Sequence, residues 1–371
     1  MYWMNDLHVF TTQSAKKVFE KLGIDGHDYC MSDHWKFFYD TDPSMGLPAI
    51  NRHELAQPYN HDNFEVMANN FSKYFSSVQN QDVDFFYCSF TSKIAHVFRH
   101  CEKKIHCQLS FRFEDNHPVP PTEIERLRSL LVSMVEFGQL HISANNRYDE
   151  MYFYHFTGIT PTYAPATGTY MTESYAPQSD RILIGPGRHY PTGTAIMNKL
   201  AEYLQQSCAL PVQTISQAYP KGFSWKALSQ HKAIIVIPYT VSSGAFFEYL
   251  SMGIPMFFPS PRLLAEWHTK HFLLVERKYA LERMDRSTVK PVVNCYPDPN
   301  NDLDFESVLF WLKFCDWYQW DGVTTFDSIE ELAHLLRTFD PQEKSTRLLA
   351  QSQRDLQNAV RSWKALVGKG A

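Results

Sequence analysis

The stretch "SSGAFFEYLSMGIP", Ser242–Pro255, comes just after the apolar run "AIIVIPY" of Ala233–Tyr239. An unbroken apolar run of that length reads as a buried strand. A small Gly-containing turn follows, then the helix "AFFEYLSMG" with its Gly stop, then "IPMFFPS" as the next strand. Strand, turn, helix, strand is the building unit of a parallel sheet, whose ligands sit at the carboxyl ends of the strands beside helix N-termini. Ser242, Ser243 and Gly244 occupy that turn, where free backbone N–H groups and the positive end of the helix dipole suit a phosphate. Glu248 is the one acid on an otherwise apolar helix, one turn further in and within reach of ribose hydroxyls. An ordinary Ser cap with a solvated acid is the alternative reading.

The same alternation extends in both directions. Upstream, "MYWMNDLHVF", "VDFFYCSF", "KIHCQLSFRFED" and "LHISANN" read as strands, and "AKKVFEKLG", "FEVMANNFSKYFSSV", "KIAHVFRHC" and "EIERLRSLLVSMVEFG" as helices. "GITPTYAPATGTYMTESYAPQSD", Gly158–Asp180, has no period and is rich in Pro, Gly, Thr and Tyr, as a linker is. Alternation resumes with "RILIGPGR" and "TAIMNKLAEYLQQS" and runs into helices "VLFWLKFCDWYQW", "SIEELAHLLRTF" and the last, Thr346–Val367. The expected organisation is an N-terminal Rossmann-like domain over 1–160, a linker over 161–180, a second Rossmann-like domain over 181–345, and a terminal helix over 346–371 packing back on the first domain. No repeat of 20–50 residues is visible, which excludes solenoids and propellers.

Composition narrows the function classes. A length of 371 residues suits two domains, and 44% hydrophobic with 20% charged residues is globular. A net charge of −5 advertises no nucleic-acid or anionic-membrane surface. Seven cysteines, with no CxxC pair, suit reduced thiols in a cytoplasmic setting. No apolar run reaches the roughly 20 residues of a bilayer span. The aromatic share of 15% exceeds what a core alone needs, leaving rings for a cleft that stacks planar or sugar rings.

A second loop, "DRILIGPGRHYPTG", adds to the first. Gly185 and Gly187 end a strand and permit close backbone approach to a ligand. Arg188 follows, and its fork geometry fits a diphosphate. An ordinary Gly turn with a surface Arg stands beside that reading. In "YPKGFSWKALSQHKA", Phe223 or Trp225 could stack on a nucleobase, or Trp225 could anchor a short helix.

"FEYLSMGIPMFFPS" resembles the donor-binding box of glycosyltransferases with the GT-B fold. Glu248 stands where that box has its ribose-binding acid, and Gly253-Ile254-Pro255 where it has Gly-x-Pro. The upstream part departs, with Thr240 and Ser242 in the places of a His and a Gly. The resemblance implies an α/β fold of the GT-B kind, two Rossmann-like parallel-sheet domains facing across a cleft. It implies a nucleotide-sugar donor, most simply UDP-linked, held by Gly185, Gly187, Arg188, Tyr219, Trp225, Tyr239, Ser242, Ser243, Gly244 and Glu248. It implies a glycan or glycoconjugate acceptor as the other partner.

Candidate chemistry lies in the first half. "NDLH" ends the first strand with Asp6 and His8, and inverting GT-B enzymes carry a base His just there. A near-neutral imidazole suits general-base work, and an adjacent carboxylate can fix its tautomer. Asp33, beside His34 in "MSDHW", is a rival base, and Glu114 in "SFRFEDN", with Arg112 and Asp115, could hold acceptor hydroxyls. Asp40-Thr41-Asp42 is a DxD, the metal–diphosphate motif of the other glycosyltransferase fold, but Asp82-Val83-Asp84 and Asp302-Leu303-Asp304 match equally. His96 and His100 are four apart on one helix face with no third ligand evident. The expectation is a metal-independent enzyme with no cofactor. A sugar-nucleotide epimerase on the same scaffold, a non-catalytic carbohydrate- or nucleotide-binding protein, and a DxD enzyme using Asp40 and Asp42 are the alternatives.

Overall fold

The computed structural model describes residues 1–44, 50–78, 82–114, 119–186, 191–274 and 289–368. The chain divides into two units, one of Met1–Ala166, Glu282–Tyr296 and Leu356–Ala371, the other of Thr167–Leu281 and Pro297–Asp355. The first is built on a six-stranded sheet of β1 (Tyr2–Asp6), β2 (Gly26–Cys30), β3 (Phe85–Ser89), β4 (Lys104–Leu109), β5 (Leu140–Ala144) and β6 (Thr162–Tyr163). Its order is β2-β1-β3-β4-β5-β6, and every neighbouring pair is parallel. Buried strands need both faces covered, and aromatic rings cover them. On one face Phe86 stacks on Phe98 with ring centroids 4.5 Å apart. On the other, Trp363 of the last helix meets Phe19 at 5.2 Å and Tyr87 at 5.5 Å.

The second unit has a five-stranded parallel sheet of β7 (Ser179–Pro186), β8 (Val212–Thr214), β9 (His231–Ile237), β10 (Met256–Pro259) and β11 (Thr324–Phe326), ordered β11-β10-β9-β7-β8. Both expected Rossmann-like parallel-sheet halves are therefore present. The helix Gly244–Met252 is buried on almost every side, which is why it carries so few polar residues. It ends at Gly253, whose φ of +74° a side chain would resist. The chain then turns at once into β10, and the carbonyl of Pro255 accepts the N–H of Ile234 in β9. Gly-x-Pro is thus a compact helix-to-strand connector here.

Several elements differ from the sequence reading. The first helix spans Val9–Lys21, starting six residues earlier than "AKKVFEKLG" suggests, and the helix after β3 is only Ile94–Val97. Helices Arg147–Thr157 and Pro261–His271 and strand β11 were not anticipated. The Pro- and Tyr-rich stretch divides between the units at Ala166/Thr167. Its second part is strapped to the helix Gly244–Met252, with the Tyr175 N–H bonded to the Met252 carbonyl. A Cβ on Gly168 would lie 2.3 Å from the Phe247 carbonyl oxygen, so only glycine permits that approach. The last helix spans Pro341–Leu366, its residues from Leu356 belonging to the first unit. No helix among the described residues is long and apolar enough to cross a membrane.

Candidate functional site

In each sheet the strand order reverses once. β1 is flanked by β2 and β3, and β7 by β8 and β9. The connections leaving the two central strands at such a switch point go to opposite faces and open a crevice at the carboxyl edge.

In the second unit that crevice lies where β7 and β9 end level, Gly185 opposite Val236 and Pro186 opposite Ile237. The helices Pro191–Gln206 and Gly244–Met252 start just beyond these ends. Ser243 is the N-cap of the second, with extended backbone (φ −149°, ψ 132°), yet its side chain caps nothing. Its hydroxyl lies 3.4 Å from that of Tyr239. The Phe246 N–H turns back to the Ser243 carbonyl at 3.0 Å, and the Gly244 and Ala245 amides, without a side-chain cap, are the ones available to an anion. The Ser242 hydroxyl donates to buried Asp316 at 3.1 Å, so Ser242 offers the crevice its backbone rather than its side chain.

Glu248 is buried and accepts the Tyr170 hydroxyl proton at 2.6 Å. Burial pushes its carboxyl up to about 7, partly opposed by the Tyr170 bond. Gly185 serves packing, because a Cβ there would lie 2.4 Å from Ile215 Cδ1. Gly187 and Arg188 lie outside the described residues. One expected donor residue, Tyr219, is not brought to the crevice with the rest. It bonds through its hydroxyl to His231 Nε2 at 2.6 Å, and His231 is the first residue of β9. Six residues of strand, about 20 Å, separate it from the carboxyl end. Trp225 is half-buried, its ring edge-on to Phe223 at 5.6 Å and to Tyr249 at 6.3 Å.

In the first unit the switch point lies between β1 and β3. His8 leaves β1, half-buried, as N-cap of the helix Val9–Lys21, and its Nδ1 accepts the Phe10 N–H at 3.2 Å. Its ring stacks on Phe90 with centroids 5.1 Å apart. Phe90 leaves β3 with a φ of +59°, a backbone state that costs a non-glycine residue roughly 1–2 kcal/mol. Asp6 does not orient the imidazole as expected. Its Oδ1 accepts the His8 backbone N–H at 2.9 Å, and burial pushes the carboxyl up to about 7. Burial pushes the His8 imidazole down to about 4, so it is neutral at pH 7. With Nδ1 held as acceptor by the helix cap, the neutral ring carries its proton on Nε2.

Asp33 is exposed and ion-paired with Arg52, a solvated position unsuited to proton abstraction. Glu114 is buried past the end of β4 and accepts the Tyr152 hydroxyl, with Arg112 lying over the Tyr152 ring at 5.0 Å. Burial pushes Glu114 up to about 7 and neighbouring Asp149 up to about 6. Asp115 lies outside the described residues. The three DxD pairs have local duties. Asp42 accepts from Ser44, Asp84 pairs with the chain's amino terminus at 2.5 Å, and Asp304 caps the helix Phe305–Leu312. Buried Asp302 faces His268 at 3.2 Å.

Sequence reasoning missed Phe90, Tyr170 and Asp316. A positive φ at Phe90 and a partner 78 residues distant for Glu248 leave no local trace.

No protein-family model matches the chain, and no curated protein matches it. Among solved structures it is similar to the glycosyltransferase SnogD from Streptomyces nogalater, at 13% identity over 100% of this chain and 99% of that one, with a TM-score of 0.47. It is similar to the spinosyn rhamnosyltransferase SpnG complexed with thymidine diphosphate, at 10% identity over 100% of both chains and a TM-score of 0.41. It is also similar to Acinetobacter baumannii MurG, at 11% identity over 100% and 99%, with a TM-score of 0.41. At these identities and scores the likeness decides neither reaction nor substrate.

Proposed function

We propose that the chain is a glycosyltransferase that moves a sugar from a nucleoside-diphosphate donor to a hydroxyl of a glycan or glycoconjugate. The observation that carries this reading is the helix Gly244–Met252. Its N-terminus opens without a side-chain cap at the switch point of a parallel sheet, and Glu248 follows one turn in. The Gly244 and Ala245 amides would take the diphosphate and Glu248 the ribose hydroxyls. A UDP donor remains the first candidate, from the resemblance of "FEYLSMGIPMFFPS" to a donor box.

In this reading His8 receives the acceptor proton at Nδ1 while the acceptor oxygen bonds to the sugar carbon. The bond from that carbon to the diphosphate oxygen breaks on the opposite side, so the carbon inverts. The Phe10 N–H bond on Nδ1 is long, and a substrate hydroxyl can displace it. The charge gathering on the leaving diphosphate falls to the helix N-terminus, and metal independence is part of the proposal.

Incubating the chain with UDP-, TDP- and GDP-sugars in EDTA, with and without sugar acceptors, tests this. Acceptor-dependent release of the nucleoside diphosphate is the expected result. Donor isomerised without release identifies an epimerase, and binding without turnover a non-catalytic module. His8→Asn should lower turnover at least about 100-fold with unchanged donor affinity, while keeping a side-chain acceptor for the Phe10 amide. Unchanged turnover in that variant would remove His8 from the mechanism.

A further inference from the structure

Two pairs of metal-competent side chains converge in the first unit. His61 and Glu65 are four apart on the helix His61–Ser77 and so share a face. His96 and His100 are four apart at and just beyond the short helix Ile94–Val97, which packs against the helix His61–Ser77. Glu65 stands where the pairs meet. Its Oε2 is 3.0 Å from His96 Nε2, and its Oε1 is 2.6 Å from His100 Nε2. One ring nitrogen each from His61 and His96 and a Glu65 oxygen lie mutually within 4.8 Å.

Tyr59 supplies the orientation. Its buried hydroxyl oxygen lies 3.0 Å from Nδ1 of both His61 and His96. A phenol oxygen can accept from both Nδ1–H groups, which leaves both Nε2 lone pairs for a cation. Imidazoles that bind a metal characteristically donate their other N–H to such an oxygen. Tetrahedral zinc with bonds of roughly 2.0–2.1 Å spaces its ligand atoms about 3.4 Å apart, close to the His96–Glu65 separation. Glu65 and His100 are each 32% exposed and His96 is wholly buried, so the cluster has a closed floor and an open side for entry. Arg99 Nη1 also lies 3.0 Å from Glu65 Oε2 and would have to yield, for which its partly exposed side chain has room.

We propose that His61, Glu65 and His96 form a Zn²⁺ site that ties the helix His61–Ser77 to Ile94–Val97, with His100 holding the second Glu65 oxygen. Two imidazoles and one carboxylate suit zinc over magnesium or calcium. None of the three is a candidate residue of either switch-point crevice, so the ion's role is to hold structure.

The test titrates Zn²⁺ and Co²⁺ into the full chain after metal stripping, against a chromophoric chelator. One equivalent of Zn²⁺ should bind, and Co²⁺ should give the intense visible bands of tetrahedral coordination. His61→Ala, at a partly exposed position, should weaken binding at least about tenfold with the far-UV spectrum unchanged. Arg99→Gln should tighten it several-fold by removing the competing cation. Absence of a bound equivalent, an octahedral Co²⁺ spectrum, or an equivalent indifferent to His61→Ala would overturn the proposal. The wild-type Co²⁺ spectrum and the Arg99→Gln result decide the matter even if the His61 variant fails to fold.

Discussion

Glu248 holds its proton to about pH 7 because its carboxyl is buried and only the Tyr170 hydroxyl meets it among the described bonds. An unfolded glutamate releases that proton near its ordinary value of 4.5. Between those values the folded chain binds a proton that the unfolded chain does not. Stability therefore falls as pH rises through that window, by about 3 kcal/mol at most once both forms are ionised. Glu248→Gln keeps an acceptor for Tyr170 and removes the ionisation. Its melting temperature should exceed the wild type's at pH 8 and match it at pH 4.5. A shift that is the same at both pH values would place the effect in packing instead. The acid itself was legible in the sequence as the lone charge on an apolar helix, but its partner was not, since Tyr170 lies in a stretch without period. The start of the first helix was hidden for a different reason. Its cap is His8, outside the Ser, Thr, Asp and Asn set that marks helix starts.

Elements show the same division. Strands such as β9 were legible because burial on both faces demands an unbroken apolar run, and the parallel alternation followed. The helix "RYDEMYFYHFT" has buried residues around most of its circumference and presents no single apolar stripe, so periodicity missed it. The segment from Thr167 onward is an element of the second unit through backbone contacts that composition does not report. Its closest approach, Gly168 over the Phe247 carbonyl, gives a direct check. Gly168→Ala should destabilise by roughly 1–3 kcal/mol, as overpacking against backbone does, lowering the chemical-denaturation midpoint. It should also loosen Tyr170 from Glu248 and so weaken nucleotide binding. An unchanged midpoint would mean that the strap is not anchored there.

At the scale of the whole molecule, two parallel sheets each place a switch point where the sequence offered candidate residues. His8 lies at one, and Ser242, Ser243 and Gly244 at the other. Tyr219 fell elsewhere because the short helix and turn after β8 carry the chain back to the start of β9. The pairing of His61 and Glu65 with His96 and His100 spans more than thirty residues, so no spacing rule could join them before the fold did.

The central claim is that the N-terminus of the helix Gly244–Met252 binds the diphosphate of a nucleotide. Ser243→Asp tests it most directly, by calorimetric titration of UDP, TDP and GDP into both forms in EDTA, with melting temperatures measured alongside. An aspartate there caps the Ala245 amide and favours the helix dipole, contributing roughly 0.5–1 kcal/mol of stability. It also sets a fixed negative charge where the diphosphate should sit. The account predicts a variant at least as stable as the wild type that has lost nucleotide affinity by tenfold or more. A variant that binds nucleotide as tightly as the wild type would contradict it.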